Sequence, residues 1–456
     1  MDAGMMTREI DADKERYPIL TGQGRSMLAF LREHPHAPIF RNRSGHKLTA
    51  EDLVQVMEFE EKILGAKVGW DPSAAPGWVG DFVRRCLDGV PHYRRYGGLP
   101  GKFEDLPLTS RADLARDITA FIPDSVPIGR MINFRTSGTT GHPLQIPSHP
   151  RVAAGYLAFH KRALRRFGVE LRNRGGRVGV VLLGFQRRCF TYVSVTPAMG
   201  ESGLAKINLH PDDWRDPADR AKYLDALEPE VYSGDPISFA VLADLPLSTR
   251  PRALISTSMA LTPGLRRRLE ERFGCPVLDV YSMNEAGPLA MFDPGTGGHV
   301  LLQPQMYVEI LDPAGRPVPP GTRGEITLTG GFNFYLPLLR YRTGDHASIG
   351  YAGEAPALEG LAGRPPVLFR TRAGELINNI EVTHVLERFA LPRFALRQGG
   401  DGGLVMKTDG VPARQREIAA ALVELFGPGQ VVEFEAFGGE EGKVIQYVSE
   451  TGAGPS

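Results

Sequence analysis

"RALISTSMALTPGLRRRLEERFGCPVLDVYSMNEAG", Arg252 to Gly287, decides the fold. "RALIST" is a short apolar run with strand character. "TPGLRRRLEERFG" carries the marks of a helix: Thr262 as cap, Pro263 at the first helical position and Gly274 as stop. "PVLDVY" is a second strand. A strand, a helix and a strand in that order make a βαβ unit, so the two strands are expected to be parallel. Ligands of such sheets bind beyond the carboxyl ends of the strands. "STSMA" (Ser256 to Ala260) and "YSMNEAG" (Tyr281 to Gly287) therefore belong side by side at a ligand-facing edge.

Working outward, "GRVGVVLLGF" is a near-continuous apolar run, as in a strand buried on both faces. "PRVAAGYLAFHKRALRRFG" before it has the period of an amphipathic helix. Earlier still stands "RTSGTTGHP", Arg135 to Pro143. Strand-forming residues flank it, and Pro143 and Pro147 exclude a helix after it. A Walker phosphate loop needs a lysine and a following helix, and this loop has neither. Backbone N–H groups and hydroxyls around phosphate oxygens remain open to it. Taken alone, it reads equally as an ordinary turn rich in Ser, Thr and Gly. Residues 1 to about 100 read as a mostly helical lead-in. In it "TAEDLVQVMEFEEKILG" has Thr49 as cap and ends at Gly65, and "PGWVGDFVRRCLDGVPHYRRYG" reads as a helix followed by an exposed aromatic–basic turn.

Beyond residue 300 the pattern turns to hairpins, "MYVEILDPAGRPVPPGTRGEITLTG" and then "LPLLRYRTGDHASI". After "GLAGRPP" (Gly360 to Pro366) come a strand, a helix, a hairpin around "GGDGG", a second helix and two strands. The expectation is a large domain over 1–362, α/β with parallel βαβ layers and a β-hairpin subdomain. A small α+β domain over 363–456 follows. With 456 residues, more than one core is required.

Composition excludes several classes. Hydrophobic residues are 42% and charged residues 23%, the balance of a globular protein in water. Lys+Arg and Asp+Glu are 53 each, so the total charge draws neither nucleic acid nor a membrane surface. The three cysteines, Cys86, Cys189 and Cys275, form no C-x-x-C pair, which argues against a disulfide framework and a cysteine-rich zinc site. The histidines of "EHPH" (33 to 36) and His210 read as surface or loop residues. The polar N-terminus is no signal peptide, and no apolar run approaches the roughly 18 residues a membrane helix needs. The cytoplasm is the expected location.

The motif order "RTSGTTGHP", "DVYSMNEAG", "RYRTGD", "GR", "EEGKVIQY" resembles the adenylate-forming superfamily of acyl-CoA synthetases. "GVPHYRRY", "LPLTSRADL" and "LPLLRYRTGD" look like its phenylacetate–CoA ligase subfamily. The resemblance runs from about residue 80 to the end. It implies that a small, aromatic carboxylic acid is activated by ATP and Mg²⁺ as an acyl-adenylate, then passed to coenzyme A. Other acceptors in such enzymes are an amine or a carrier protein, and other substrates are unusual oxyanions. A nucleotide-binding protein without catalysis is a rival reading, opposed by the retention of Glu285, Asp345 and Lys443. A homodimer is a common state in the subfamily.

The resemblance also implies roles. Ser137, Gly138, Thr139, Thr140 and Gly141 would cradle the β- and γ-phosphates, with His142 where the family has lysine. Tyr281 would lie against adenine, opposite Ser256, Ser258 and Met259; the two serines stand where the family often has glycines. Glu285 would bind Mg²⁺, and Asn284 would donate to the α-phosphate. Ser282 and Asn284 replace the family's Gly and Thr. Asp345 would accept from both ribose hydroxyls. Arg364 would support the ribose and mark the hinge, although "PPVLF" follows where acids are usual. Lys443 would bridge the acid's carboxylate and the α-phosphate in the transition state. By position in the family pattern, "LLGFQRRCFTY" (Leu182 to Tyr192) and "VYSGDP" (Val231 to Pro236) belong to the acid pocket.

Overall fold

The computed structural model describes residues 13–71, 74–135, 144–172, 174–352, 354–362, 367–386, 389, 394–408, 414–437 and 447–451. The chain divides into two compact units, 1–133 with 146–363, and 134–145 with 364–456.

The first unit is built on one 13-stranded sheet. Its strands in chain order are β1 Val178–Gly184, β2 Tyr192–Thr196, β3 Ser202–Asn208, β4 Val231–Gly234, β5 Ala253–Ser256 and β6 Val277–Met283. β7 Gly287–Asp293, β8 Gly298–Leu301, β9 Met306–Leu311, β10 Gly324–Gly330, β11 Leu338–Ala352 and β12 Ala355–Ala362 follow. The spatial order is β9-β10-β11-β12-β8-β7-β6-β5-β4-β1-β3-β2, and the short strand Thr109–Ser110 pairs with β11. The half from β3 to β6 is parallel; the half from β6 to β9 is antiparallel.

The deciding stretch folds as its pattern requires. Helix Pro263–Phe273 is capped by the Thr262 hydroxyl, starts on Pro263 and stops at Gly274, whose φ of 65° is left-handed. It returns the chain so that β5 and β6 run parallel. Two apolar cores flank the sheet. One lies under this helix and takes Leu254, Leu269, Phe273 and Val277. The other lies under helix Pro150–Arg166 and takes Phe159, Ala163, Leu164, Ile255, Leu278 and Val280. Successive side chains of β6 therefore alternate between the two, as a strand covered on both faces must.

Two expectations are corrected. The aromatic–basic turn after helix Trp78–Gly89 is exposed only in its basic part: Arg94 and Arg95 are exposed, whereas Tyr93 is fully buried, and its hydroxyl donates to the Pro337 carbonyl at 3.0 Å. Pairing with a partner 244 residues away, which no local pattern carries, turns it inward. The strand read in "PVLDVY" does not end at Tyr281. β6 runs on to Met283, and Gly287 opens the antiparallel return strand β7. The strands flanking the Gly/Thr loop, Ile132–Arg135 and Gln145–Ser148, pair with each other; the loop itself lies outside the described residues.

The second unit has a four-stranded sheet in the order Val432–Ala436, Leu404–Thr408, Phe394–Gln398, Tyr447–Ser449. Helix Gln415–Phe426 packs its Ile418, Leu422 and Phe426 into the same core as Leu396, Met406 and Tyr447. Among the described residues, no helix is long and apolar enough to cross a membrane.

Candidate active site

The parallel strands end together. Gly234 of β4 lies opposite Ser256 of β5, and Ser256 lies opposite Asp279 of β6. β6 therefore overshoots its neighbour by Val280 to Met283. Tyr281 is on this overhang, on the same side as Val277 and hence as the helix after β5.

The Tyr281 hydroxyl donates to Asp345 Oδ2 at 2.6 Å. Asp345 sits on β11, where Thr343 Oγ1 accepts from its backbone N–H at 3.0 Å. Burial, then the Asp345 charge, pushes the Tyr281 hydroxyl well above the ordinary tyrosine range. It is a fixed neutral donor at any physiological pH. The residues expected at adenine and at ribose thus share one hydrogen bond.

Glu285 lies in the tight turn between β6 and β7 and is 7% exposed. Arg111 Nη1 donates to its Oε1 at 2.7 Å, and the Tyr341 hydroxyl reaches the same oxygen at 3.4 Å. Burial, then the Glu285 charge, raises the Tyr341 hydroxyl well above its usual range. Local structure explains how Arg111 arrives. Thr109–Ser110 pairs with Tyr341–Arg342, and Ser110 and Asp113 form a capping box that starts a helix at Arg111. The turn depends on Gly287, with φ 72°: a Cβ there would lie 2.5 Å from the Phe332 ring. Sequence reading passed over Arg111 and Tyr341, although both lie inside quoted motifs, "LTSRADL" and "RYRTGD".

At the end of β5, Ser256 is fully buried, and among the described residues its hydroxyl finds no hydrogen-bond partner. Ser258 has a φ of 72°, the left-handed region that glycine favours. A serine there adopts the backbone of the glycine it replaces. Met259 and Ser282 are half-buried, and Asn284 is exposed in the turn. Ser137, Gly138, Thr139, Thr140, Gly141, His142, Arg364 and Lys443 lie outside the described residues.

Among the described residues, no three His, Cys, Asp or Glu side chains come together to hold a metal. Mg²⁺ asks for less beside a nucleotide, where one or two carboxylates suffice with the phosphates. The single buried carboxylate of Glu285 fits that demand, and Arg111 holds the same group in place.

Residues 132–335 match the AMP-binding enzyme family. The chain is 25% identical over 288 residues to a phenylacetate-coenzyme A ligase of Aromatoleum evansii, covering 58% of this chain and 63% of the relative. It is 24% identical over 318 residues to that of Escherichia coli K12, covering 62% and 68%. The match thus spans under two thirds of the first relative's length. Among solved structures, a 2-hydroxyisobutyryl-CoA ligase in complex with 2-HIB-AMP and CoA aligns with a TM-score of 0.53 at 20% identity, over 89% of this chain and 91% of that one. The same ligase in its postadenylation state gives 0.51 at 19%, over 86% and 90%. These two show the fold. Residues 132–335 thus match the AMP-binding enzyme family, and the chain is similar to phenylacetate-coenzyme A ligases over about 60% of its length.

Proposed function

We propose that the protein joins a small, aromatic carboxylic acid to coenzyme A at the expense of ATP, through an acyl-adenylate. The observation that carries this reading is the convergence of Tyr281, Asp345 and Glu285 around the overhang of β6. Two segments far apart in sequence, one with Tyr281 and Glu285 and the other with Asp345, would supply a ring, a phosphate-side carboxylate and a ribose acceptor.

A carboxylate is a poor electrophile because it is anionic and its oxygen leaves badly. One of its oxygens attacks the α-phosphorus of ATP; the bond to the β-phosphate oxygen breaks, and pyrophosphate leaves with the electron pair. The thiolate of coenzyme A then attacks the acyl carbon, and AMP departs with the C–O bond pair. Tyr281 and Asp345 hold the nucleoside. Glu285, fixed by Arg111 and Tyr341, would hold Mg²⁺, which neutralises charge on the phosphates. Ser137 to Gly141 would cradle the β- and γ-phosphates, and Asn284 would donate to the α-phosphate. Lys443, in the 363–456 domain, would stabilise the crowded phosphorus in the transition state. Closure of that domain would shield the adenylate from water. The cytoplasm supplies all three substrates.

The test is ATP–pyrophosphate exchange across aryl, aliphatic and amino acids, followed by addition of coenzyme A. Acid-dependent exchange, then thioester and AMP, is the expected result. No exchange with any acid would end the reading. Exchange without thioester formation would replace the acceptor by an amine or a carrier protein.

A further inference from the structure

Helix Pro150–Arg166 carries a histidine with no assigned task. His160 is half-buried, and no described residue gives it a hydrogen bond, an ion pair or a ring contact. Burial alone holds it down at about 4, so its imidazole is neutral at physiological pH.

Its neighbours on the helix locate it. Tyr156, one turn earlier, has its ring 5.4 Å from Phe332. A Cβ on Gly287 would stand 3.4 Å from the same tyrosine ring, so Tyr156 touches the turn that bears Glu285. Ala163 and Leu164, one turn later, are buried against Val231, Ala253 and Ile255 of β4 and β5. Residues three and four apart share a helix face. His160 therefore faces the sheet, between the Glu285 turn and the buried core. The sheet is incompletely covered there. Val180 and Leu182 of β1 are half-buried, and they pair in register with Val231 and Ser233 of β4 on that face. Leu182 and Ser233 lie in the two stretches, Leu182 to Tyr192 and Val231 to Pro236, that the resemblance gives to the acid pocket. The helix rises about 6 Å from Tyr156 to His160, roughly the span of a benzene ring with both of its para substituent bonds.

We propose that His160 is a specificity-determining residue at the far end of the acid pocket, where it hydrogen-bonds an uncharged polar substituent, hydroxyl or amino, on an aryl acid. This rests on the activation reading above. An acid whose carboxylate lies near Glu285 would pass its ring beside Tyr156 and bring its distal substituent to the imidazole. A neutral imidazole offers one donor and one acceptor, so it suits a phenol or an aniline and gives no ion pair to a second carboxylate. An unsubstituted ring would leave a desolvated nitrogen unpaired, and sites of this kind reject such analogues strongly.

The experiment compares kcat/KM in pyrophosphate exchange for 4-hydroxyphenylacetate against phenylacetate, and 4-aminobenzoate against benzoate. The wild type is expected to favour the polar member by about 10-fold or more. His160→Leu should abolish or invert that ratio through the KM for the acid, with the KM for ATP unchanged. His160→Gln, which keeps a donor and an acceptor, should restore part of it. Equal ratios in wild type and His160→Leu would overturn the proposal. A second readout does not depend on turnover. The ¹⁵N ring resonance of His160, assigned by its loss in His160→Gln, should move on adding 4-hydroxyphenylacetate and stay with phenylacetate. A resonance indifferent to both acids would overturn the proposal even if exchange is active. A resonance that moves while no acid supports exchange would keep the pocket assignment and defeat the activation reading alone.

Discussion

Tyr281 and Asp345, 64 positions apart, are joined by a 2.6 Å hydrogen bond from phenol to carboxylate. The bond fixes as one piece the ring proposed for adenine and the carboxylate proposed for the ribose. Tyr281→Phe keeps the ring face for adenine and removes the donor. A hydrogen bond to a charged group contributes about 1.5–3 kcal/mol, so ATP binding should weaken roughly 10-fold or more. Asp345→Ala should cost more, because it removes the carboxylate proposed for the ribose together with the acceptor of the Tyr281 hydroxyl. Calorimetric titration with ATP checks both. Wild-type affinity in both variants would refute the pairing of roles.

Glu285→Gln keeps the shape of the side chain and removes its charge. Arg111 loses its ion-pair partner, and the site loses the hard anionic group proposed to hold Mg²⁺. Pyrophosphate exchange should fall by about 100-fold at millimolar Mg²⁺ and recover in part as Mg²⁺ is raised. Circular dichroism should remain native. An unaltered Mg²⁺ dependence would remove Glu285 from the metal site.

Gly287→Ala probes the turn that carries Glu285. The backbone is left-handed there, and the new methyl would meet the Phe332 ring. Strain and overpacking together should destabilise the protein by about 2–4 kcal/mol. Activity should fall further than the loss of folded protein explains, since the carboxylate two residues earlier is displaced. Denaturant titration beside exchange kinetics separates the two effects. A variant of native stability would show that the turn tolerates a side chain.

Asp52 gives a prediction on pH. Burial raises its pKa, but hydrogen bonds from Arg130 and Thr49 outweigh burial and bring it down to about 2. A carboxylate with a depressed folded pKa stabilises the protein above its unfolded pKa, near 3.8, and loses that contribution as pH falls through about 2. The loss should be about 1–2 kcal/mol, allowing for solvent screening of the half-exposed Arg130. Asp52→Asn should flatten the stability of the protein between pH 4 and pH 2, measured by urea titration at each pH. An equally steep decline in the variant would assign the acid lability elsewhere.

What the sequence disclosed was local. Thr262, Pro263 and Gly274 mark the ends of one eleven-residue helix, and the structure uses each as its chemistry suggests. Thr49 caps its helix in the same way. The motif order gave Tyr281, Glu285 and Asp345, and the fold sets them around one strand end. What the sequence withheld was pairing at a distance. Arg111 reaches Glu285 across 174 positions. Arg340, in the same motif as Asp345, is fully buried and binds both oxygens of Glu309 at 3.0 and 3.1 Å. An arginine in a charged motif reads as a surface or ligand residue. Only tertiary packing makes it a core ion pair, with a strained φ of 43°.

The overhang of β6 makes the chemistry sensitive to parity. Leu278 and Val280 point to one core and Val277 to the other, so Tyr281 owes its side to being an even number of residues from Val277. A single residue inserted between Val277 and Tyr281 would aim the aromatic ring at the side of helix Pro150–Arg166 and turn an aliphatic side chain to the side Tyr281 now holds. Two inserted residues would restore the orientation while lengthening the ledge. Evolution of this site by insertion is thus confined to even steps, whereas the loops beyond the strand ends are free to change by one.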